Sequence, residues 1–149
     1  MKVEFEIATI EYIPKLLEMM RGFNAVDNYS FNPKITEQNL TDFLSNESLG
    51  RLWLISVEDK PIGYVVLTFG FSFEYGGRDA FIDELFIKER FRGKGIGTKT
   101  MEFILTEAKR LHINAIHLEV EKHNNANRLY KKLGFNSTNR ELFVKRLTD

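Results

Sequence analysis

A glycine-rich, basic loop marks the point where the hydrophobic period of this chain changes. Upstream of Arg92-Gly93-Lys94-Gly95-Ile96-Gly97, residues 80–87 read as a strongly apolar strand. Downstream, apolar or small residues fall at 97, 101, 104, 105, 108 and 111, one stripe of a helix of about four turns. A strand that passes through glycines into a helix offers bare N–H groups and a positive helix end at one spot. Residues 88–99 also carry Lys88, Arg90, Arg92, Lys94 and Lys99 against Glu89, a local charge of +4. The plain reading is a tight turn with solvated basic residues. The coincidence of glycines, charge and helix start favours a cradle for a pyrophosphate or polyphosphate.

The flanking elements point to an α/β domain. Val3, Phe5 and Ile7 alternate with charged residues as a short strand, and Thr9 is placed to cap a helix from about Glu11 to Gly22. Residues 24–34 read as a loop, with a second helix near 36–46. Residues 52–57 and 62–71 form strands joined at Glu58-Asp59-Lys60-Pro61, a hairpin. Ala115 to Val120 is a further strand. Asn124 or Asn125 caps a short helix through Ala126, Leu129, Tyr130 and Leu133, and Gly134 stops it. Phe135 onward and Glu141 to Leu147 are expected as terminal strands. The order is β α α β β β α β α β β, with a mixed central sheet flanked by helices.

Composition narrows the class. At 149 residues and 43% hydrophobic, the chain is expected to be one domain, residues 1–149, with a full core. Acidic and basic residues number 21 each, so no overall field favours nucleic acid or an anionic membrane. There is no Cys, hence no disulfide, thiol nucleophile or thiolate metal site. Acidic residues interrupt the N-terminal apolar runs, unlike a secretory signal. A soluble, cytoplasmic protein is the expectation.

The phosphate loop fits neither G-x-G-x-x-G, because Thr98 and Thr100 occupy the sixth positions of the two frames, nor a P-loop. Arg92-x-x-Gly95-x-Gly97 does resemble the R/Q-x-x-G-x-G/A signature of the GNAT family of N-acetyltransferases. Asn125-Ala126-Asn127-Arg128-Leu129-Tyr130-Lys131-Lys132-Leu133-Gly134-Phe135 resembles that family's second signature, A-x-x-L-Y-x-x-x-G-F. Both stand in the family's order, and the element order matches from about Val3 to Leu147. Many members have Asn seven residues before the motif tyrosine; this chain has His123 there, followed by Asn124.

The resemblance implies a single acyl-CoA N-acyltransferase fold with acetyl-CoA as cosubstrate and no metal. It implies that Leu85, Phe86 and Ile87 lie where the fourth strand bulges and splays from the fifth, with main-chain groups at Phe86 and Ile87 pairing to the pantetheine arm like an added strand. Arg92, Gly93, Lys94, Gly95, Ile96, Gly97 and Thr98 would hold the pyrophosphate, with Asn124 among the cofactor-binding candidates. Tyr130 takes the general-acid position, facing the departing CoA thiolate, although an aromatic on an apolar helix face is ordinarily core. Asp83 and Glu84 are the candidate bases. Alternation sends neighbours on a strand to opposite faces, so at most one reaches the reaction unless a bulge re-aims both. Gly76 to Glu84 is similar to the acidic pair of polyamine- or diamine-type members.

Residues 74–84 hold Glu74, Asp79, Asp83 and Glu84 against Arg78, a local charge of −3 running towards the +4 loop. This suggests an amine end and a phosphate end of one site. Phe69, Phe71, Phe73 and Tyr75 could wall an acceptor pocket or line a homodimer contact; sheet packing is the favoured reading. His112, His117 and His123 lack metal-ligand spacing. The basic loop is too short for a nucleic-acid footprint. Two functions are carried forward. One is an N-acetyltransferase acting directly on a primary amine, as a small cationic molecule or a peptide amine. The alternative is a non-catalytic acyl-CoA-binding sensor or regulatory module of the same fold.

Overall fold

Glu58 and Asp59 both adopt left-handed backbone, with φ of 51° and 63°. Two such residues in a row make the tight hairpin turn whose twist matches its strands. The turn joins β2 (Gly50–Val57) to β3 (Lys60–Ser72), and Val57 pairs with Lys60 beside it. β4 (Gly77–Ile87) runs back along β3, and β1 (Val3–Ile7) covers the other edge of β2. These pairings are antiparallel; β5 (Ala115–His117) joins β4 in parallel, giving a mixed five-stranded sheet in chain order. The computed structural model describes residues 1–148 and has two compact units, one of residues 1–118 and one starting at Glu119.

The first unit has helices on both sheet faces. Leu52, Leu54, Tyr64 and Val66 pack with Leu16, Met19 and Met20 of α1 (Ile13–Val26) and Leu40 of α2 (Pro33–Leu44). Trp53, Val65, Leu67 and Ala80 pack with Ile104 and Ala108 of α3 (Ile96–Arg110). With both faces covered, the central strands read as unbroken apolar runs.

The helix starts differ from the sequence expectation. Residues 10–12 form a single 3-10 turn, and Thr9 makes no side-chain cap bond, so α1 begins at Ile13. The supposed loop 24–34 holds the end of α1 and the start of α2. Asn32 Oδ1 accepts from the N–H groups of Lys34 and Ile35 at 3.1 and 3.2 Å, with Pro33 opening α2. Proline suits the first helical position because its missing N–H has no helical partner to lose.

The last strands also differ. β5 ends at His117, not Val120, and residues 135–148 form neither helix nor strand. Leu142, Phe143, Val144 and Leu147 are exposed. Alternation supplies a local preference only; a strand exists through its ladder to a neighbour, and these residues join none. The aromatic run divides as well. Phe69 packs on the α3 side, but Phe71 and Phe73 are 71% and 95% exposed and meet each other edge to face. Sheet packing therefore accounts for Phe69 and not for those two. Among the described residues no helix is long and apolar enough to cross a membrane.

Candidate active site

The β3–β4 ladder contains a bulge where the sequence places its two acidic residues. Val66 pairs with Glu84 and Leu67 with Ile82, so Asp83 is the extra residue on β4. Before the bulge, Ala80 and Ile82 pack towards α3; beyond it, Phe86 packs towards α1 and α2. The phase change brings Asp83 and Glu84 to one cavity of about 310 Å³. The alternation rule is broken in the way a bulge breaks it, by re-aiming a side chain.

This cavity lies between the sheet and the first two helices. Met20 and Asn24 come from α1; Thr36, Asn39, Leu40 and Phe43 come from α2; Leu52, Val66 and Thr68 complete the wall. None of its lining residues is cationic. Asn24 Nδ2 donates to the Met20 carbonyl at 2.8 Å, which leaves its side-chain oxygen as the group without a partner in that bond. The lining thus combines carboxylates, neutral polar groups and an apolar floor, which suits an alkyl ammonium.

The two carboxylates differ in surroundings. Asp83 is exposed, whereas Glu84 is half-buried and accepts a 2.7 Å hydrogen bond from the Tyr64 hydroxyl. Burial raises the pKa of Glu84 above the ordinary carboxylate range; the Tyr64 bond pulls it down and the nearby Asp83 charge raises it. Sequence reasoning missed Tyr64. Its signal was a hydroxyl in the otherwise apolar stretch Ile62 to Leu67, because a buried Tyr needs a partner for its O–H. It also missed Asn24, Thr36, Asn39 and Thr68, whose spacing carries no motif.

The glycine-loop residues Arg92 to Gly97 follow the other end of β4. Gly93 and Gly95 have φ of 73° and 80°, and a Cβ at either would meet nothing within 4 Å. Gly95 is the residue before α3, so the N–H groups of Ile96, Gly97 and Thr98 open on that space without partners inside the helix. Gly97 differs: it lies within α3, has no positive φ, and its Cβ would make an ordinary 3.9 Å contact with Ile87. Lys94 leans over the Phe91 ring.

β4 pairs with β5 only from Asp79 to Phe81, so residues 82–87 have no strand on that side among the described residues. A second cavity of about 200 Å³ lies between Phe23, Val26 and Asp27 on one side and Leu85, Phe86 and Ile87 on the other, with Arg92 at its rim. Arg92 Nε donates to the Ile87 carbonyl at 2.7 Å, and its guanidinium lies over the Phe86 ring.

Tyr130 and Asn124 belong to the second unit. Tyr130 stands in α4 (Asn127–Lys132), is partly buried, and burial raises its pKa. Its position is fixed by the way α4 ends. Gly134 has φ of 95°; its N–H bonds the Lys131 carbonyl, and the Phe135 N–H bonds the Tyr130 carbonyl at 2.9 Å. That is the Schellman pattern, and the Phe135 and Tyr130 rings meet edge to face at 6.0 Å as its hydrophobic contact. The Gly-Phe of the second motif is thus the lock on the tyrosine. Asn124 Oδ1 accepts from the Ala126 N–H at 2.8 Å, an Asx turn leading into α4. That bond uses one of the two acceptor positions of its side-chain oxygen.

His117 Nε2 lies 3.0 Å from Asp79 Oδ2, and the rings of Tyr75 and Phe81 flank it. Among the described residues no three His, Asp or Glu side chains gather as a metal site.

Comparison with known proteins identifies the family and the fold. The acetyltransferase (GNAT) family profile matches residues 16–135. Peptidyl-lysine N-acetyltransferase YjaB of Salmonella typhimurium is 33% identical over 105 residues, 70% of this chain and 61% of that protein. An uncharacterized N-acetyltransferase of Methanocaldococcus jannaschii is 28% identical over 84% of this chain and 55% of that protein. The matched region thus spans less than two thirds of either relative's length. An integron cassette protein from the mobile metagenome of Cole Harbour Salt Marsh superposes with a TM-score of 0.88 at 29% identity, covering 97% of this chain and 91% of that one. A predicted acetyltransferase from Clostridium acetobutylicum, solved with acetyl-CoA, gives 0.80 at 22% identity, covering 97% and 96%. The family profile crosses most of both units, and on that match the chain belongs to the acetyltransferase (GNAT) family.

Proposed function

We propose that the chain, residues 1–149, is one N-acetyltransferase domain that moves an acetyl group from acetyl-CoA directly to a primary amine on a small cationic molecule. The observation that carries this reading is the pair Asp83 and Glu84 in one cavity whose lining holds no cationic side chain. An ammonium is welcome there, and a carboxylate close to the reacting nitrogen is not. Free amino acids are therefore poorer acceptors than diamines or a lysine side chain within a peptide. The Salmonella relative's name, a peptidyl-lysine acetyltransferase, supports keeping the peptide amine as the second acceptor class.

The roles follow from surroundings. Acetyl-CoA supplies a thioester carbonyl that an amine can attack, releasing the CoA thiol. Gly93, Lys94, Gly95, Ile96, Gly97 and Thr98 hold its pyrophosphate, with Arg92 at the rim. Leu85, Phe86 and Ile87 offer the unpaired edge of β4 to its pantetheine arm. Asp83 draws the ammonium in. Glu84 takes a proton from it, directly or through one water, so that the nitrogen regains its lone pair. A carboxyl raised above its ordinary range is a better base near neutral pH. Tyr130, kept protonated by its raised pKa, gives its proton to the departing sulfur. The cytoplasm is the compartment this reading assigns. Exposed Phe71 and Phe73 are the residues available to a homodimer contact.

Thiol release from acetyl-CoA, measured against a panel of diaminobutane, agmatine, an aminoglycoside, free lysine and a lysine peptide, tests the reading. Turnover with the diamine or the peptide above that with free lysine is expected. Tight CoA binding with no turnover on any amine would instead favour the acyl-CoA-binding module.

A further inference from the structure

We propose that Tyr64 is a positioning residue for the acetyl transfer, whose hydroxyl fixes the Glu84 carboxylate so that its second oxygen stays directed to the incoming amine. The inference rests on Glu84 being the base.

Tyr64 is wholly buried on β3. Its ring is held between Phe23 of α1 and Phe86 of β4, with ring centroids 6.5 and 5.9 Å away. The hydroxyl reaches Glu84 Oε1 at 2.7 Å, so Oε2 takes no part in that bond. Glu has several rotatable bonds, and ordering such a side chain costs conformational entropy. A donor whose own ring cannot move supplies the order before substrate arrives. Burial and the charges of Glu84 and Asp83 raise the Tyr64 pKa, so Tyr64 stays a donor and does not compete as a base.

The bond also sets where Glu84 titrates. The titratable groups facing it are Tyr64 across the ladder and Asp83 beside it on β4. The helices across the cavity contribute Met20, Asn24, Thr36, Asn39, Leu40 and Phe43, none of which titrates. Of these influences only the Tyr64 bond favours the carboxylate; burial and Asp83 favour the acid.

The test is Tyr64→Phe in the full chain, which keeps the ring and its packing; thermal unfolding verifies the fold. The Glu84 carboxyl is titrated by isotope-edited NMR without any substrate. Its midpoint is expected to move to higher pH by roughly one unit. Single-turnover transfer to the fastest acceptor of the panel is expected to slow about tenfold or more, with acetyl-CoA affinity unchanged. An unmoved midpoint overturns the proposal even if the rate falls, because Tyr64 would then act only through packing. An unchanged rate alongside an inactive Glu84→Gln variant overturns it too. A fully active Glu84→Gln variant instead removes Glu84 as base, and the Tyr64 inference falls with that reading.

Discussion

Asp83 and Glu84 are adjacent on β4, yet both face one cavity, because Glu84 pairs with Val66 while Ile82 pairs with Leu67. The bulge brings a sequence pair to one cavity. Two carboxylates in one site divide their work when their environments differ. Asp83 is exposed, whereas Glu84 is half-buried and bonded to Tyr64.

That difference predicts different kinetic losses. Glu84→Gln should slow transfer at neutral pH by roughly 10²–10⁴-fold, the usual size of a base contribution. The loss should shrink at high pH, where more of the amine is already deprotonated. Asp83→Asn should mainly raise KM for the amine. It should also move the acidic limb of the pH–rate profile to lower pH, because the Asp83 charge raises the Glu84 pKa. A pH series of kcat and kcat/KM for both variants checks this; identical behaviour of the two would rule out the division of roles.

The loop proposed for the pyrophosphate gives a contrast between two glycines. Gly95→Val should abolish acetyl-CoA binding while the chain stays folded. A β-branched residue at φ of 80° is strained by about 1–2 kcal/mol, but its Cβ would meet nothing within 4 Å beyond its chain neighbours. A side chain there projects from its Cβ into the open space before α3. Gly97→Ala should retain binding and be neutral or slightly stabilising, because Ala is favoured over Gly in a helix. Calorimetric titration of both with acetyl-CoA decides it, and wild-type affinity in Gly95→Val would exclude this loop as the pyrophosphate site.

Much of this was legible in the sequence where the signal is local. The change of period at Gly93 to Gly97, the hairpin at Glu58 and Asp59, and the stop at Gly134 each rest on a few adjacent residues. What was not legible depends on partners. The residue types around Asp83 do not announce a bulge, because a bulge is a property of two strands; only the family resemblance implied one, at Leu85 to Ile87, and the ladder places it at Asp83. Tyr64 is one aromatic in an apolar strand until its hydroxyl is seen against Glu84. Leu142, Phe143 and Val144 carry strand-forming residues, but a strand needs a ladder as well as a propensity.

Close backbone approach beside the site predicts a stability effect. Gly63 pairs with Ile87, and a Cβ on it would collide with the Phe86 carbonyl oxygen, which is backbone and has little freedom to yield. Gly63→Ala should therefore destabilise by about 2–3 kcal/mol, the range of an overpacked site. Denaturant titration should show a lower midpoint with little change in slope. Wild-type stability would mean that the strands separate at this point at little cost.

A smaller effect is expected at the start of α2. Asn32→Ala removes the side-chain oxygen that accepts from Lys34 and Ile35. The loss should be about 1 kcal/mol, or a Tm lower by roughly 2–4 °C. Because α2 carries Thr36, Asn39, Leu40 and Phe43 into the cavity proposed for the acceptor, the amine KM should rise while acetyl-CoA affinity holds. A thermal scan with paired KM measurements separates the two effects.

Tyr130→Phe tests the general acid. The ring, its edge contact with Phe135 and the glycine lock at Gly134 all survive the change, so α4 should keep its end geometry. Only the hydroxyl is lost. Burial raises the pKa of that hydroxyl, so it holds its proton throughout the neutral range and can donate it to a departing thiolate. A thiol has a pKa of about 8.5, so the thiolate is already a fair leaving group, and the loss should sit near the lower end of roughly 10²–10⁴-fold. An interaction made only in the transition state lowers kcat and kcat/KM together, and acetyl-CoA affinity should stay near wild type. Single-turnover kinetics with the best acceptor isolate the chemical step. An unchanged rate for that step would leave Tyr130 as an aromatic that packs against Phe135 and nothing more.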